Sequence, residues 1–382
     1  MFLLLGLVPV AIWLVMLLAR GGFWLCRERD SRDPAPEPAI WPRVVAVVPA
    51  RNEADVIAHS IGSLRAQDYP GPFSVILVDD GSTDGTAEAA SATTGRAPLE
   101  VLRGEPLPAG WTGKLWALSQ GVRHAGSSPD YVLLTDADIG HTPDNLRALV
   151  ARAEAGRHSL VSLMAELSCA TAAERFLIPA FVFFFGMLYP FRWVADARAR
   201  TAAGAGGCML VRRDALQRIG GIAAIRTAII DDCNLARRLK ETGPIRLDLT
   251  RRARSLRPYG GVAEIGRMVS RSAYAQLGYS PLLLAGTVLG MVLTYLLPPT
   301  LAVFGEGYAR IAGLAAWAMM ALAFQPMLRF YRVSPLGSVL WGLALPVIGA
   351  AYTWFTLQSA LQVWRGKGGM WKGRAQAMAG GA

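Results

Sequence analysis

The chain has 382 residues, 53% of them hydrophobic and only 18% charged, with a formal net charge of +11. That length has room for more than one folded unit, and the apolar balance argues against a wholly soluble protein. The basic excess fits arginines flanking membrane segments; no basic-plus-aromatic module that reads nucleic acid is present, so no nucleic-acid partner is expected. Cys26, Cys169, Cys208 and Cys233 are scattered without a C-x-x-C pair, which argues against a disulfide framework or a structural zinc site.

Residues 1–22 contain the uncharged run "FLLLGLVPVAIWLVMLLA", which predicts an N-terminal transmembrane helix. A signal peptide is the competing reading, but no basic region precedes the run and no small-residue cleavage site succeeds it. Arg20, Arg27, Arg29 and Arg32 come next, and the positive-inside rule puts the chain beyond them in the cytoplasm. Residues 23–42, with "DPAPEPAIWP", read as a stiff Pro-rich linker.

From 43 to 275 the composition is that of a soluble α/β domain. "RVVAVVPA", "FSVILVDDG" and "DYVLLTDAD" are β-branched runs ending in turn residues, with helical stretches predicted over Asp55 to Ala66 and Lys114 to Arg123. Alternating strands and helices predict a mixed, mostly parallel sheet with helices on both faces. Ligands bind beyond the C-terminal ends of strands in such sheets, and "PARNEAD", "DDGSTDG" and "TDAD" all fall there.

Residues 176–191 are apolar but interrupted by prolines, and read as an interfacial segment or a buried core helix. Residues 281–361 form a C-terminal membrane region with candidate spans near 281–304, 309–327 and 337–361. Three spans after a cytoplasmic domain would leave the basic tail, 362–382, outside, so either a segment broken at Pro346 or at Pro298-Pro299 does not cross or the tail defies the rule.

Each acidic motif has a plain reading beside a chemical one. Asp79 and Asp80 could accept hydrogen bonds from a ribose or base, or simply form a turn with Gly81 and Ser82. Lys114, in "GWTGKL", lacks the remainder of a phosphate loop but could neutralise a phosphate. Asp136 and Asp138 flank Ala137 and could share a hard divalent ion with substrate phosphates, or end a strand. Asp231 and Asp232 open a helical stretch; one could be an N-cap and the other a general base. Gly206 and Gly207, in "GAGGCML", allow close approach to a ligand or merely a tight loop. Arg267 and Arg271, one helical turn apart, could hold a pyrophosphate or face an anionic membrane surface.

In order, "VPARNEADVI", "VDDGSTDGT", "GK", "TDAD", "GAGGCML" and "IIDDCNLARRL" resemble a membrane-bound family-2 glycosyltransferase with the GT-A fold. The flanking apolar segments and "WRGKGGMWKGR" are most similar to the hopanoid-biosynthesis-associated glycosyltransferases of bacteria. The resemblance implies an inner-membrane, multi-pass enzyme that moves one sugar, with inversion, from a nucleotide-sugar donor such as a UDP-sugar to a lipid acceptor. It implies that Pro49, Arg51, Asn52, Glu53, Asp79 and Asp80 line the nucleotide pocket with Lys114 nearby. Asp136 and Asp138 would then hold Mg2+ or Mn2+, and Asp232, where the family has Glu-Asp, would be the base. The processive members' Q-x-x-R-W segment is replaced here by "EIGRMVSR", with Glu264 for Gln and Met268 for Trp. A polysaccharide synthase, or a silent nucleotide-sugar-binding scaffold, is the alternative.

Overall fold

The computed structural model describes residues 2–366, 370–371 and 374–375; most of the basic tail at 362–382 lies outside the described residues. The chain divides into two compact units. One comprises Met1–Arg27, Cys169–Arg192 and Tyr259–Gly368, and the other Glu28–Ser168, Trp193–Pro258 and Gly369–Ala382.

The second unit is built on an eight-stranded sheet. Its strands are β1 (Val44–Ala50), β2 (Phe73–Asp79), β3 (Leu99–Arg103), β4 (Tyr131–Thr135), β5 (Ile139–His141), β6 (Leu160–Glu166), β7 (Cys208–Arg212) and β8 (Ile245–Ser255). They are ordered β3-β2-β1-β4-β7-β6-β8-β5. The strands β1 to β4 run parallel, as do β6 and β8, whereas β7 is antiparallel to β4 and β6, and β5 to β8. The expected mixed, mostly parallel sheet is therefore present.

Both faces of the sheet are covered, which is why β1 and β2 read as continuous apolar runs. On one face Val44, Ala46, Val48, Val75 and Leu77 pack with Ile57, Ile61 and Leu64 of the helix Ile57–Arg65. On the other lies the helix Gly113–His124, so close that a Cβ on Gly121 would stand 2.4 Å from Val47 Cγ1. No larger residue fits there. Pro49 is tolerated in a central strand because the β1–β4 pairing stops at Val47, leaving no partner for the missing N–H on that side. Residues 28–30 of the Pro-rich segment are docked beside β8: Leu249 N–H donates to Glu28 O at 2.9 Å and Asp30 N–H to Leu249 O at 3.1 Å.

The first unit is helical. Two of its helices, Pro281–Phe304 and Gly307–Phe330, are long and apolar enough to cross a membrane, each about 36 Å against the ~30 Å hydrocarbon core. Leu282, Phe304, Ile311 and Leu322 are among their exposed side chains, a surface suited to lipid. Pro335–Leu343 and Leu345–Trp364 meet at a 58° bend, and Pro346 stands at the break, where it cannot supply the N–H a continuous helix needs. The N-terminal helix is Phe2–Leu18, and its described apolar part, Gly6–Leu18, is shorter than a span. Spanning helices were expected at both ends; among the described residues they are found in the C-terminal region only. The 176–191 segment falls mainly within the helix Ala172–Leu188. Its Phe184 rests edge-on against Tyr295 and Tyr352, with centroids 5.4 and 4.9 Å away.

Candidate functional site

Because β1, β2 and β4 are parallel, their C-terminal ends share one edge of the sheet, and β7 starts there because Thr135 pairs with Cys208. The acidic motifs leave from this edge.

The turns after β1 and β2 are laced together. Arg51 donates to the Asp80 carbonyl, and its guanidinium lies 3.7 Å from the Asp80 carboxylate. Asn52 adopts φ +51°, a conformation for which asparagine is among the best suited non-glycine residues. Its N–H donates to Ser82 Oγ at 2.9 Å, its Oδ1 accepts from Thr83 N–H at 3.0 Å, and Ser82 donates in turn to Asp79. Glu53 N–H donates to Thr86 Oγ1 at 2.8 Å, and Glu53 and Asp80 are both buried.

Lys114 lies in the first turn of the helix Gly113–His124, and its ammonium bridges two carboxylates: Asp136 Oδ1 at 2.8 Å and Asp231 Oδ2 at 3.0 Å. Burial works against its charge, yet the two acids hold its pKa above the usual lysine value. Asp231 and Asp232 are the first two residues of the helix Asp231–Lys240, whose N-cap is Ile230 with no side-chain cap. The N-cap role considered for one of these acids is therefore not the one taken; both sit in the first turn, where the helix dipole favours anions.

Asp232 is fixed at both oxygens. Oδ2 accepts from Gly206 N–H at 3.0 Å and Oδ1 from Cys233 N–H at 2.7 Å. Burial, followed by the neighbouring Asp231, pushes its carboxyl up to about 6, where proton transfer near neutral pH is favourable. A Cβ on Gly206 would stand 3.3 Å from Lys114 Nζ and 3.7 Å from Asp232 Oδ2, so glycine keeps this space open. At the other end of the same helix, Lys240 Nζ donates to the carbonyls of Trp193 at 3.1 Å, Val194 at 2.9 Å and Thr201 at 2.6 Å.

Asp138 belongs to a different cluster. Arg257 pairs with Glu53, reaches Asp55 at 3.3 Å and lies 3.9 Å from Asp138 Oδ2. Burial and the nearby Glu53 raise the Asp138 pKa; burial raises that of Asp136 despite Lys114, and Asp138 adds to it. Such crowded acids are relieved by a cation. Among the described residues no three His, Cys, Asp or Glu side chains converge as a metal-holding group. The carboxylates of Asp136 and Asp138 are hard oxygen donors, compatible in type with Mg2+ or Mn2+, and each is engaged by a different cation, Lys114 and Arg257.

The second unit thus brings together Pro49, Arg51, Asn52, Glu53, Asp79 and Asp80 at one part of the edge, with Lys114, Asp136, Gly206, Asp231 and Asp232 at another. Gly207 is next in the same loop. Arg267 and Arg271 are exposed on and just after the helix Val262–Ser270 of the first unit, and the site in the second unit is built without them. Sequence reasoning missed Arg257, whose partner Glu53 is 204 residues away, and Thr86, which helps lock the turns; Ser82 takes the turn role read for it.

Comparison with known proteins adds three findings. The sequence profile of Glycosyl transferase family 2 matches residues 45–220. A 4,4'-diaponeurosporenoate glycosyltransferase of Staphylococcus aureus is 37% identical over 93 residues, which are 24% of this chain and 23% of that protein; the match thus spans about a quarter of the relative's length. A mannosyltransferase from Pyrobaculum calidifontis, solved with GDP-Man and Mn2+, superposes with a TM-score of 0.56 at 22% identity, covering 96% of this chain and 99% of its own. Sheet topology and superposition agree on a GT-A-like fold, and residues 45–220 within it match the Glycosyl transferase family 2 profile.

Proposed function

We propose that the protein is an inverting glycosyltransferase that moves a single sugar from a nucleotide-sugar, a UDP-sugar by its sequence resemblance, to a lipid acceptor in the bacterial inner membrane, with the catalytic domain on the cytoplasmic side. The observation that carries this reading is the Lys114 bridge between Asp136 and Asp231, which sets a diphosphate-side carboxylate beside a carboxylate pair ending in the buried, strongly oriented Asp232.

On this reading the nucleoside lies against the laced turns of Arg51, Asn52, Glu53, Asp79 and Asp80, with Pro49 behind them. Asp138, assisted by Asp136, would hold Mg2+ or Mn2+. When bound, that ion neutralises charge on the diphosphate as it leaves. Asp232 takes the proton of the acceptor hydroxyl as its oxygen bonds to the anomeric carbon; the bond to the diphosphate oxygen breaks, and its electron pair departs with the nucleoside diphosphate. One displacement inverts the anomeric centre. Gly206 and Gly207 leave room for the sugar beside the base, and Lys114 keeps Asp136 and Asp231 from repelling each other.

The two helices of spanning length support a membrane-embedded acceptor, and the resemblance in sequence favours a hopanoid. The Staphylococcus aureus relative is named for 4,4'-diaponeurosporenoate and the Pyrobaculum calidifontis protein was solved with GDP-Man and Mn2+, which supports nucleotide-sugar chemistry with a divalent ion. The test is release of nucleoside diphosphate by purified full-length protein in lipid nanodiscs, with a panel of nucleotide-sugars and Mn2+ or Mg2+. Metal-dependent release that collapses in Asp232→Asn is expected. No release with any donor, or an Asp232→Asn protein as fast as the wild type, overturns the reading.

A further inference from the structure

We infer that Thr135, His141 and Asn145 form a buried hydrogen-bonded brace that sets the Gly206–Gly207 loop and thereby positions Asp232. The inference rests on Asp232 serving as the base. None of the three touches the reacting atoms; they act through the loop.

The chain of contacts runs in one direction. Asn145 Nδ2 is 2.9 Å from His141 Nδ1, His141 Nε2 is 3.0 Å from Thr135 Oγ1, and Thr135 Oγ1 is 2.7 Å from the Gly207 carbonyl oxygen. An amide nitrogen only donates, so His141 Nδ1 accepts and the ring proton sits on Nε2. That proton goes to Thr135 Oγ1, which leaves the threonine's own hydrogen for Gly207. Every donor points toward the loop. The preceding residue, Gly206, gives its N–H to Asp232 Oδ2.

The brace is shielded and itself fixed. Thr135 and Asn145 are each 1% exposed and His141 is 7%. Burial holds His141 down to about 4, so the ring stays neutral and keeps the single ring proton this arrangement needs. The His141 backbone N–H donates to Ser63 Oγ at 3.0 Å. A second anchor holds the front of the loop, where Ala205 N–H donates to Ser162 Oγ at 2.8 Å. The loop is thus tied at Ala205 by β6 and at Gly207 by the brace, with the Asp232 contact between the two ties. A polar chain of this length in an apolar interior is costly to maintain. Packing alone would be served as well by apolar residues of the same size.

The test uses full-length protein in lipid nanodiscs. Thr135→Val deletes the hydroxyl and nearly keeps the volume, while Thr135→Ser keeps the hydroxyl. We expect Thr135→Val to lower kcat by roughly 10- to 100-fold, the scale for a misplaced catalytic group, with the donor KM within about twofold of wild type. Thr135→Ser restores most of the rate, and His141→Gln falls between. If Thr135→Val does not fold, the kcat of a folded His141→Gln decides in its place. A decider as fast as an active wild type overturns the brace. So does a Thr135→Ser as impaired as Thr135→Val, or a loss that appears in donor KM rather than kcat. A wild type that transfers no sugar overturns the glycosyl-transfer reading instead.

Discussion

Asp136 and Asp138 are separated by one residue, yet they answer to different cations. Asp136 is held by Lys114 at 2.8 Å together with Asp231, whereas Asp138 lies 3.9 Å from Arg257, which binds Glu53 and Asp55 more closely. The ammonium is a compact charge on a flexible stem, while the guanidinium is a planar fork. The Lys114 cluster therefore ties the end of β4 to the helix that carries the proposed base, and the Arg257 cluster ties it to the turn after β1. The acidic motif at the end of β4 is a hinge point between two charge clusters. Its second aspartate, the more loosely paired, is the better placed to take up a new cation.

The sharpest break in this comparison is Asp232→Asn, which removes the proposed base and leaves both cation clusters intact. Turnover should fall by ~10²–10⁴ while nucleotide binding, followed by calorimetry, persists. Next in size, Asp138→Asn should weaken Mn2+ activation by at least about tenfold, and Asp136→Asn by less, since Asp136 already has Lys114. Equal losses in a metal titration of both variants would erase the distinction between the clusters. Lys114→Met should lower stability by ~1–3 kcal/mol in chemical unfolding, a figure reduced for the partial exposure of the pair.

Lys114→Met should also change the pH profile. As the proposed base, Asp232, pushed up to about 6, would act only when ionised, so kcat should fall as pH drops through 6. Lys114 pulls that carboxyl downward, and its removal moves the acid limb to higher pH. The smallest effect is expected of Arg257→Lys, which keeps the charge and loses the fork. Donor binding should weaken by ~1 kcal/mol or less, with kcat little changed.

Much of the frame was legible because buried parallel strands must be apolar. The runs at 44–50, 73–79 and 131–135 ended in polar turns, and those turns hold the site. The other strands gave little signal. β8, "IRLDLTRRARS", alternates apolar and polar only at Ile245, Leu247 and Leu249 before three arginines interrupt the pattern, and β5 has three residues. Arg257 was invisible for another reason: its role depends on partners about 120 to 200 positions away, and no local pattern distinguishes it from the other arginines nearby. Asp231 and Asp232 were read correctly as opening a helix, but only the backbone reveals that Ile230 is the cap.

The helix Asp231–Lys240 is hooked at both ends to one stretch of chain, by Asp232 to Gly206 and by Lys240 to the carbonyls of residues 193, 194 and 201. Its ten residues act as a gauge, about 15 Å long, and they fix angle as well as distance. One residue added or removed between the hooks turns Lys240 by ~100° and slides it ~1.5 Å, so one hook must let go. Substitutions along its exposed side are tolerated by this arithmetic, but a change in residue count is not. The reach from the glycine loop to the 193–201 segment is thereby written in the number of residues in a single helix.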